Sequence, residues 1–135
     1  GHILGTHRGI IHYTVGQRKG LKIALGHPAF VREIDAKKNE IMLAQEDRLY
    51  AREILCRDVN YVGIMPMKKG EKAFAFVKVR YHHEGQKAVI EALDEMTVRI
   101  AFSEPVRAAA PGQSAVFYDD DDCVLGGGII AEVCY

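Results

Sequence analysis

The sequence contains no tryptophan, four prolines and only three cysteines in 135 residues. Three thiols scattered at Cys56, Cys123 and Cys134, with no CxxC pair, are too few for a disulfide framework. They point instead to a reducing, cytoplasmic setting. No run approaches the roughly 18 consecutive apolar residues of a membrane-spanning helix, and no basic stretch followed by an apolar run marks a secretory leader. Net charge is missing too, since 18 Lys and Arg balance 18 Asp and Glu. No segment sustains a helical period, and no internal repeat is visible. With 48% hydrophobic and 27% charged residues the composition is that of an ordinary globular protein, which excludes wholesale disorder. The length suits one ordinary domain or two very small ones.

The neutral total conceals an asymmetry. Residues 1–32 hold Arg8, Arg18, Lys19, Lys22 and Arg32 and no acid. The remainder carries the compensating negative excess. A one-sided basic segment suits an anionic partner, because each phosphate contact releases counterions. The same segment is dense in glycine, which argues against a long helix and for loops and short strands. A hairpin follows: Phe30 to Ile34 and Glu40 to Ala44 flank the polar tract Asp35-Ala36-Lys37-Lys38-Asn39. Glu46 to Arg52 reads as one helical turn or a loop, with a domain boundary near it.

From Ile54 the pattern is strand after strand. Ala73 to Tyr81 alternates, with Ala75, Val77, Val79 and Tyr81 on one face and Phe76, Lys78 and Arg80 on the other. Thr97 to Phe102 repeats the alternation, and Gln86 to Leu93 lies between, giving a three-stranded meander. Ala115 to Tyr118 and Ile129 to Val133 are the last strands, and Pro111-Gly112 is a turn signal. The fold class is therefore all-β: a small β-rich domain over residues 1–52, then a small antiparallel barrel or sandwich over 53–135.

Candidate chemistry is sparse. No cysteine has a base beside it in sequence, so the thiols read as inert. His7 and His12, and the adjacent pair His82-His83, match no common zinc spacing, so no metal site is assigned. Asp119-Asp120-Asp121-Asp122 lacks the alternating ligands of a calcium loop and reads as a solvated hairpin tip. Neither Gly126-Gly127-Gly128 nor Gly16-Gln17-Arg18-Lys19-Gly20 is a nucleotide phosphate loop. The triple glycine suits close backbone approach or a bulge within a barrel. Gly16 to Gly20 makes a compact basic loop able to hold a phosphate, or an ordinary surface turn. For Arg80 and Tyr81 the pattern leaves two readings open. The guanidinium and ring contact a nucleic acid, or Tyr81 packs in the barrel and Arg80 is solvated.

Two stretches are more specific. Gly5-Thr6-His7-Arg8-Gly9 followed by His12-Tyr13-Thr14-Val15-Gly16-Gln17-Arg18-Lys19-Gly20-Leu21 closely resembles a signature of the tRNA-specific 2-thiouridylases. Pro111-Gly112-Gln113-Ser114-Ala115-Val116-Phe117-Tyr118, followed by Leu125-Gly126-Gly127-Gly128-Ile129-Ile130, resembles that family's C-terminal signature. Val79-Arg80-Tyr81 and Phe102-Ser103-Glu104-Pro105-Val106 match as well. The resemblance runs from about Gly5 to Ile130, in the expected order.

This resemblance implies an enzyme that replaces the C2 oxygen of a tRNA wobble uridine with sulfur. The family has an N-terminal ATP-pyrophosphatase domain, a small central domain and a C-terminal β-barrel, and this chain is similar to the last two. The family's SGGxDS-type loop has no counterpart here. Its two catalytic cysteines, one forming a persulfide, do not correspond to Cys56, Cys123 or Cys134. No catalytic residue is therefore assigned, and the chain alone is expected to be inactive. ATP, with Mg, is implied only for the missing domain. The implied partners are the anticodon arm of tRNA and a sulfur-donor protein, with no membrane and no DNA. Matched residue by residue, Arg80, Tyr81 and Gln113 fall on positions that contact tRNA in the family. Gln17, Arg18 and Lys19 fall in the central-domain signature and are expected to touch RNA or a neighbouring domain. The competing reading is a β-barrel module that binds protein and no RNA.

Overall fold

The computed structural model describes residues 1–81 and 84–135; the His82-His83 pair lies outside the described residues. The chain divides into two compact units, Gly1–Tyr50 and Ala51–Tyr135. The fold is all-β, with only two short 3-10 turns, Ile10–His12 and Glu46–Leu49, among the described residues.

In the first unit, β1 (Phe30–Asp35) and β2 (Glu40–Ala44) form the expected antiparallel hairpin, from Phe30 opposite Ala44 to Asp35 opposite Glu40. The polar tract closes it for a definite reason. Asp35 Oδ1 accepts the backbone N–H groups of Lys37 and Lys38 at 3.0 and 3.1 Å, and Asn39 takes the left-handed φ of 54° that its short polar side chain tolerates. These hydrogen bonds, that of Lys38 first, hold the Asp35 carboxyl below its ordinary range. The expectation of short strands before Phe30 is not met. That stretch is loop apart from the turn at Ile10–His12, because left-handed Gly9, Gly16, Gly20 and Gly26 break any extended run.

The second unit is a closed six-stranded barrel. Its strands are β3 (Tyr50–Tyr61), β4 (Lys72–Lys78), β5 (Gln86–Ala92), β6 (Val98–Arg107), β7 (Ser114–Tyr118) and β8 (Val124–Cys134). Around the barrel the order is β3-β6-β5-β4-β7-β8. Closure leaves no sheet edge to aggregate. The period-2 pattern sends Ala75, Val77 and Val79 of the β4 segment, Ala88, Ile90 and Ala92 of β5, and Val98 and Ile100 of β6 into the interior. A six-stranded barrel has a narrow lumen. It is filled mostly by Ala, Val and Ile, with Phe117 the bulkiest fully buried side chain.

The triple glycine is a packing requirement. Strand β8 lies between β3 and β7, with Gly126 opposite both Tyr61 and Phe117. A Cβ on Gly126 would stand 2.5 Å from the Asn60 carbonyl oxygen, and one on Gly127 2.9 Å from that of Ala115. Both are backbone atoms of neighbouring strands and cannot move aside alone. Strands β6 and β8 run longer than the sequence pattern outlines. β8 starts at Val124, ahead of the glycines, and its Cys134 is paired opposite Glu53.

Candidate nucleic-acid interface

The antiparallel pairing fixes which strand ends meet. Lys78 near the close of β4 lies opposite Val116, so the chain leaving β4 emerges beside the start of β7. Arg80, Tyr81, Gln113 and Ser114 therefore share one rim of the barrel. Strand β6 ends there as well, at Arg107, because Ala88 near the start of β5 pairs with Phe102. The topology thus brings together residues that are 27 and 33 positions apart in sequence.

The inward alternation of the β4 segment stops at Val79, which is buried. The chain bends at Val79 and Arg80, and Tyr81 leaves the strand pattern with 95% of its surface exposed. The expectation that Tyr81 shares a face with Val77 and Val79 is corrected: a bend outranks a period. Arg80 is half-buried. Burial, and then the positive charge of Arg107, hold its guanidinium below its ordinary value. An arginine keeps its charge at neutral pH regardless, so two neighbouring cations make this rim attractive to anions.

Gln113 closes the rim through the turn Ala110-Pro111-Gly112-Gln113. Its Oε1 accepts the Ala110 N–H at 3.2 Å, and Gly112 adopts φ 88°. Gly112 N–H donates to Ile130 O, and Ile130 N–H donates to Gln113 O, both at 2.8 Å. The side-chain oxygen is thus committed, and Nε2 makes no hydrogen bond among the described residues.

Gln17 sits in the same device. Its Oε1 accepts the Thr14 N–H at 2.9 Å, and Gly16 adopts φ 86°. Gly16 N–H donates to Val31 O at 2.7 Å, and Val31 N–H donates to Gln17 O at 2.9 Å. The two signature glutamines therefore occupy one repeated turn, a local repeat that the sequence reading missed because only Gly-Gln is shared. Here Nε2 donates to Lys19 O at 2.8 Å, which leaves Arg18 and Lys19 as exposed cations on the loop. Arg18 borders an open basin of about 650 Å³, floored by Leu21, Pro28 and Leu43.

The remaining candidates fall elsewhere. Asp119 Oδ1 accepts the N–H groups of Asp121 and Cys123 at 2.8 and 2.9 Å, so the aspartate run caps the β7–β8 hairpin. Burial pushes the Cys56 thiol up to about 12, whereas Cys123 and Cys134 are exposed. Among the described residues no group of three or more His, Cys, Asp or Glu side chains is placed to hold a metal. The triple glycine faces carbonyl oxygens inside a strand rather than opening a helix with free N–H groups. No helix of the described residues is long and apolar enough to cross a membrane.

Residues 51–130 match a family model described as the aminomethyltransferase beta-barrel domain, and residues 1–45 one described as the tRNA methyl transferase PRC-barrel domain. The chain belongs to the tRNA-specific 2-thiouridylase family. It is 50% identical over 96% of its length to the tRNA-specific 2-thiouridylase MnmA of Acetivibrio thermocellus. It is 45% identical over 96% to that of Lachnoclostridium phytofermentans, and 46% over 98% to MnmA 1 of Clostridium botulinum Okra. It spans 35%, 36% and 37% of those three relatives, about a third of their length. Sequence reasoning missed Arg107. Its signal is a cation ending a strand whose antiparallel register returns it to the rim of Arg80.

Proposed function

We propose that this chain is the tRNA-holding part of a cytoplasmic tRNA 2-thiouridylase. In that reading, ATP activation of the wobble uridine and persulfide delivery of sulfur, supplied by a donor protein, occur on parts of the enzyme outside these residues. The chain's own task is to fix the anticodon arm, because misplacing reacting groups by about 1 Å costs roughly a hundredfold in rate. Arg80 and Arg107 take backbone phosphate, which sets register. Tyr81 and the Gln113 amide inspect an unpaired nucleotide. Arg18 and Lys19 add phosphate contacts from the hairpin unit.

One observation supports this reading most. A tyrosine that the strand pattern would bury is 95% exposed, beside a half-buried arginine and a turn-locked glutamine. The test is titration of the purified chain with bulk tRNA at several salt concentrations. Arg80→Ala is expected to weaken binding and to flatten the slope of log affinity against log salt by about 0.9. An unchanged slope would remove Arg80 from the phosphate contacts. A chain that binds a protein and no tRNA would be the interaction module instead.

A further inference from the structure

The outer surface of the barrel next to that rim has a composition that folding does not explain. Strand β4 sends Phe74, Phe76, Lys78 and then Arg80 outward, because Ala75, Val77 and Val79 point in. The register sets Phe74 beside Val89, Phe76 between Lys87 of β5 and Tyr118 of β7, and Lys78 beside Val116. Lys78 Nζ stands 5.0 Å above the centre of the Tyr118 ring. On the far side, Val116 lies opposite Gly127, so the surface there has a low floor. Gly85 flanks the other side, and a Cβ on it would stand 3.1 Å from Phe76 Cβ. Phe74 is 87% exposed.

We infer that this face of β4, β5 and β7 is a stacking platform for unpaired nucleotides of an RNA strand. Three rings (Phe74, Phe76 and Tyr118) are interleaved with Lys78 and Lys87, and the face runs without interruption into Arg80 and Tyr81. Aromatic side chains on a sheet surface take bases on their faces, and cations between them follow the phosphates. Single exposed apolar residues need no explanation, but an aromatic row interleaved with cations is a different pattern. The acids nearest this face are Glu84, next to Gly85 at the Lys78 end, Glu91 and the Asp119–Asp122 tip. Glu91 lies one row beyond Phe74, 3.9 Å from Arg99, and the Asp119–Asp122 tip lies past Tyr118. A protein partner or a second copy of the chain would use the rings without needing the lysines, so the charge favours RNA. The inference rests on the tRNA-holding reading and adds to it a surface for unpaired nucleotides.

The test titrates the purified 135-residue protein with a short oligouridylate, an RNA duplex and bulk tRNA at low salt. Phe74 is exposed, so its variants are expected to melt like the wild type. Phe74→Ala and Phe74→Leu should each weaken oligouridylate binding about tenfold, and Phe74→Tyr should restore it. Lys87→Ala should flatten the salt slope on the single strand by about 0.7. If Phe74→Leu binds like the wild type, stacking is refuted. If Arg80→Ala weakens tRNA binding and Phe74→Ala changes nothing, the platform falls while the tRNA-holding reading stands. If the wild type binds none of the three RNAs, both fall. If the chain sediments as a dimer that Phe74→Ala dissociates, the face belongs to a second copy and the inference is overturned.

Discussion

Gln113 carries two tasks that substitution separates. Its Oε1 is the hydrogen-bond acceptor for the N–H of Ala110, a residue only 4% exposed, and its Nε2 is the group that the proposed function assigns to RNA. Gln113→Ala removes both and strands a buried N–H. A buried donor left without its acceptor costs about 1–3 kcal/mol. For a barrel of this size that lowers the melting midpoint by roughly 5–15 °C. Gln113→Glu keeps an oxygen acceptor at the same reach, so it should melt within a few degrees of wild type near neutral pH. It removes the amide donor and adds a negative charge facing phosphate, so tRNA affinity should fall about tenfold or more. The assay pairs thermal unfolding followed by circular dichroism with tRNA titration on the same samples. Both variants should lose affinity, and only the alanine variant should lose stability. If Gln113→Ala melts like wild type, the Ala110 hydrogen bond does not hold the turn. If Gln113→Glu binds tRNA undiminished, Nε2 is not the contact.

Three further outcomes test the barrel itself. Gly126→Ala places a methyl 2.5 Å from the Asn60 carbonyl oxygen, so β3 and β8 must part. That should cost about 1–3 kcal/mol, seen as a lower urea midpoint than Gly127→Ala, whose tightest contact is 2.9 Å. Cys56 is buried with its thiol raised from 9.0 to about 12. Two thiols should therefore react with a disulfide reagent at pH 8 in the native protein, and the third only after denaturant is added. The sign of the linkage follows. Stability from the buried neutral thiol is intact below pH 9 and is lost as pH rises from 9 toward 12, so the melting temperature should fall across that window and Cys56→Ala should blunt the fall.

The alternation over Ala73–Val79, Gln86–Ala92 and Val98–Phe102 made the meander legible, because a half-buried strand writes its two faces into every second residue. The hairpin was legible from Asp35 and Asn39, whose side chains act on their own backbone. Tyr81 was not. It continues the inward parity of Val77 and Val79, and only the bend at Val79-Arg80 turns it out. Arg107 and the outer rings of β4 and β7 were invisible for another reason. Their meaning lies in neighbours across the sheet, and register is set by closure of the whole barrel rather than by any local run. The start of β8 was hidden by its glycines, which lower strand propensity where the strands approach most closely.

The paired glutamine turns show how one local device acquires two uses. Each is held by a left-handed glycine, by two backbone hydrogen bonds to a strand residue and by a glutamine oxygen accepting the first N–H of the turn. What differs is the chain two residues further on. After Gln17 the backbone stays in a loop, so the Lys19 carbonyl is available and takes the glutamine Nε2. After Gln113 the backbone enters β7, where Ala115 is committed opposite Gly128. The Gln113 amide is thereby left without an intramolecular partner among the described residues and stays directed to whatever docks at the rim. In the first turn the glutamine is internal bracing, and the exposed cations Arg18 and Lys19 are what it presents. In the second the glutamine oxygen still braces the turn, and the amide nitrogen is what is left uncommitted among the described residues. A signature residue can thus be identical in type and local geometry at two sites while only one keeps its amide nitrogen uncommitted among the described residues, and the secondary structure of the residue two places on decides which.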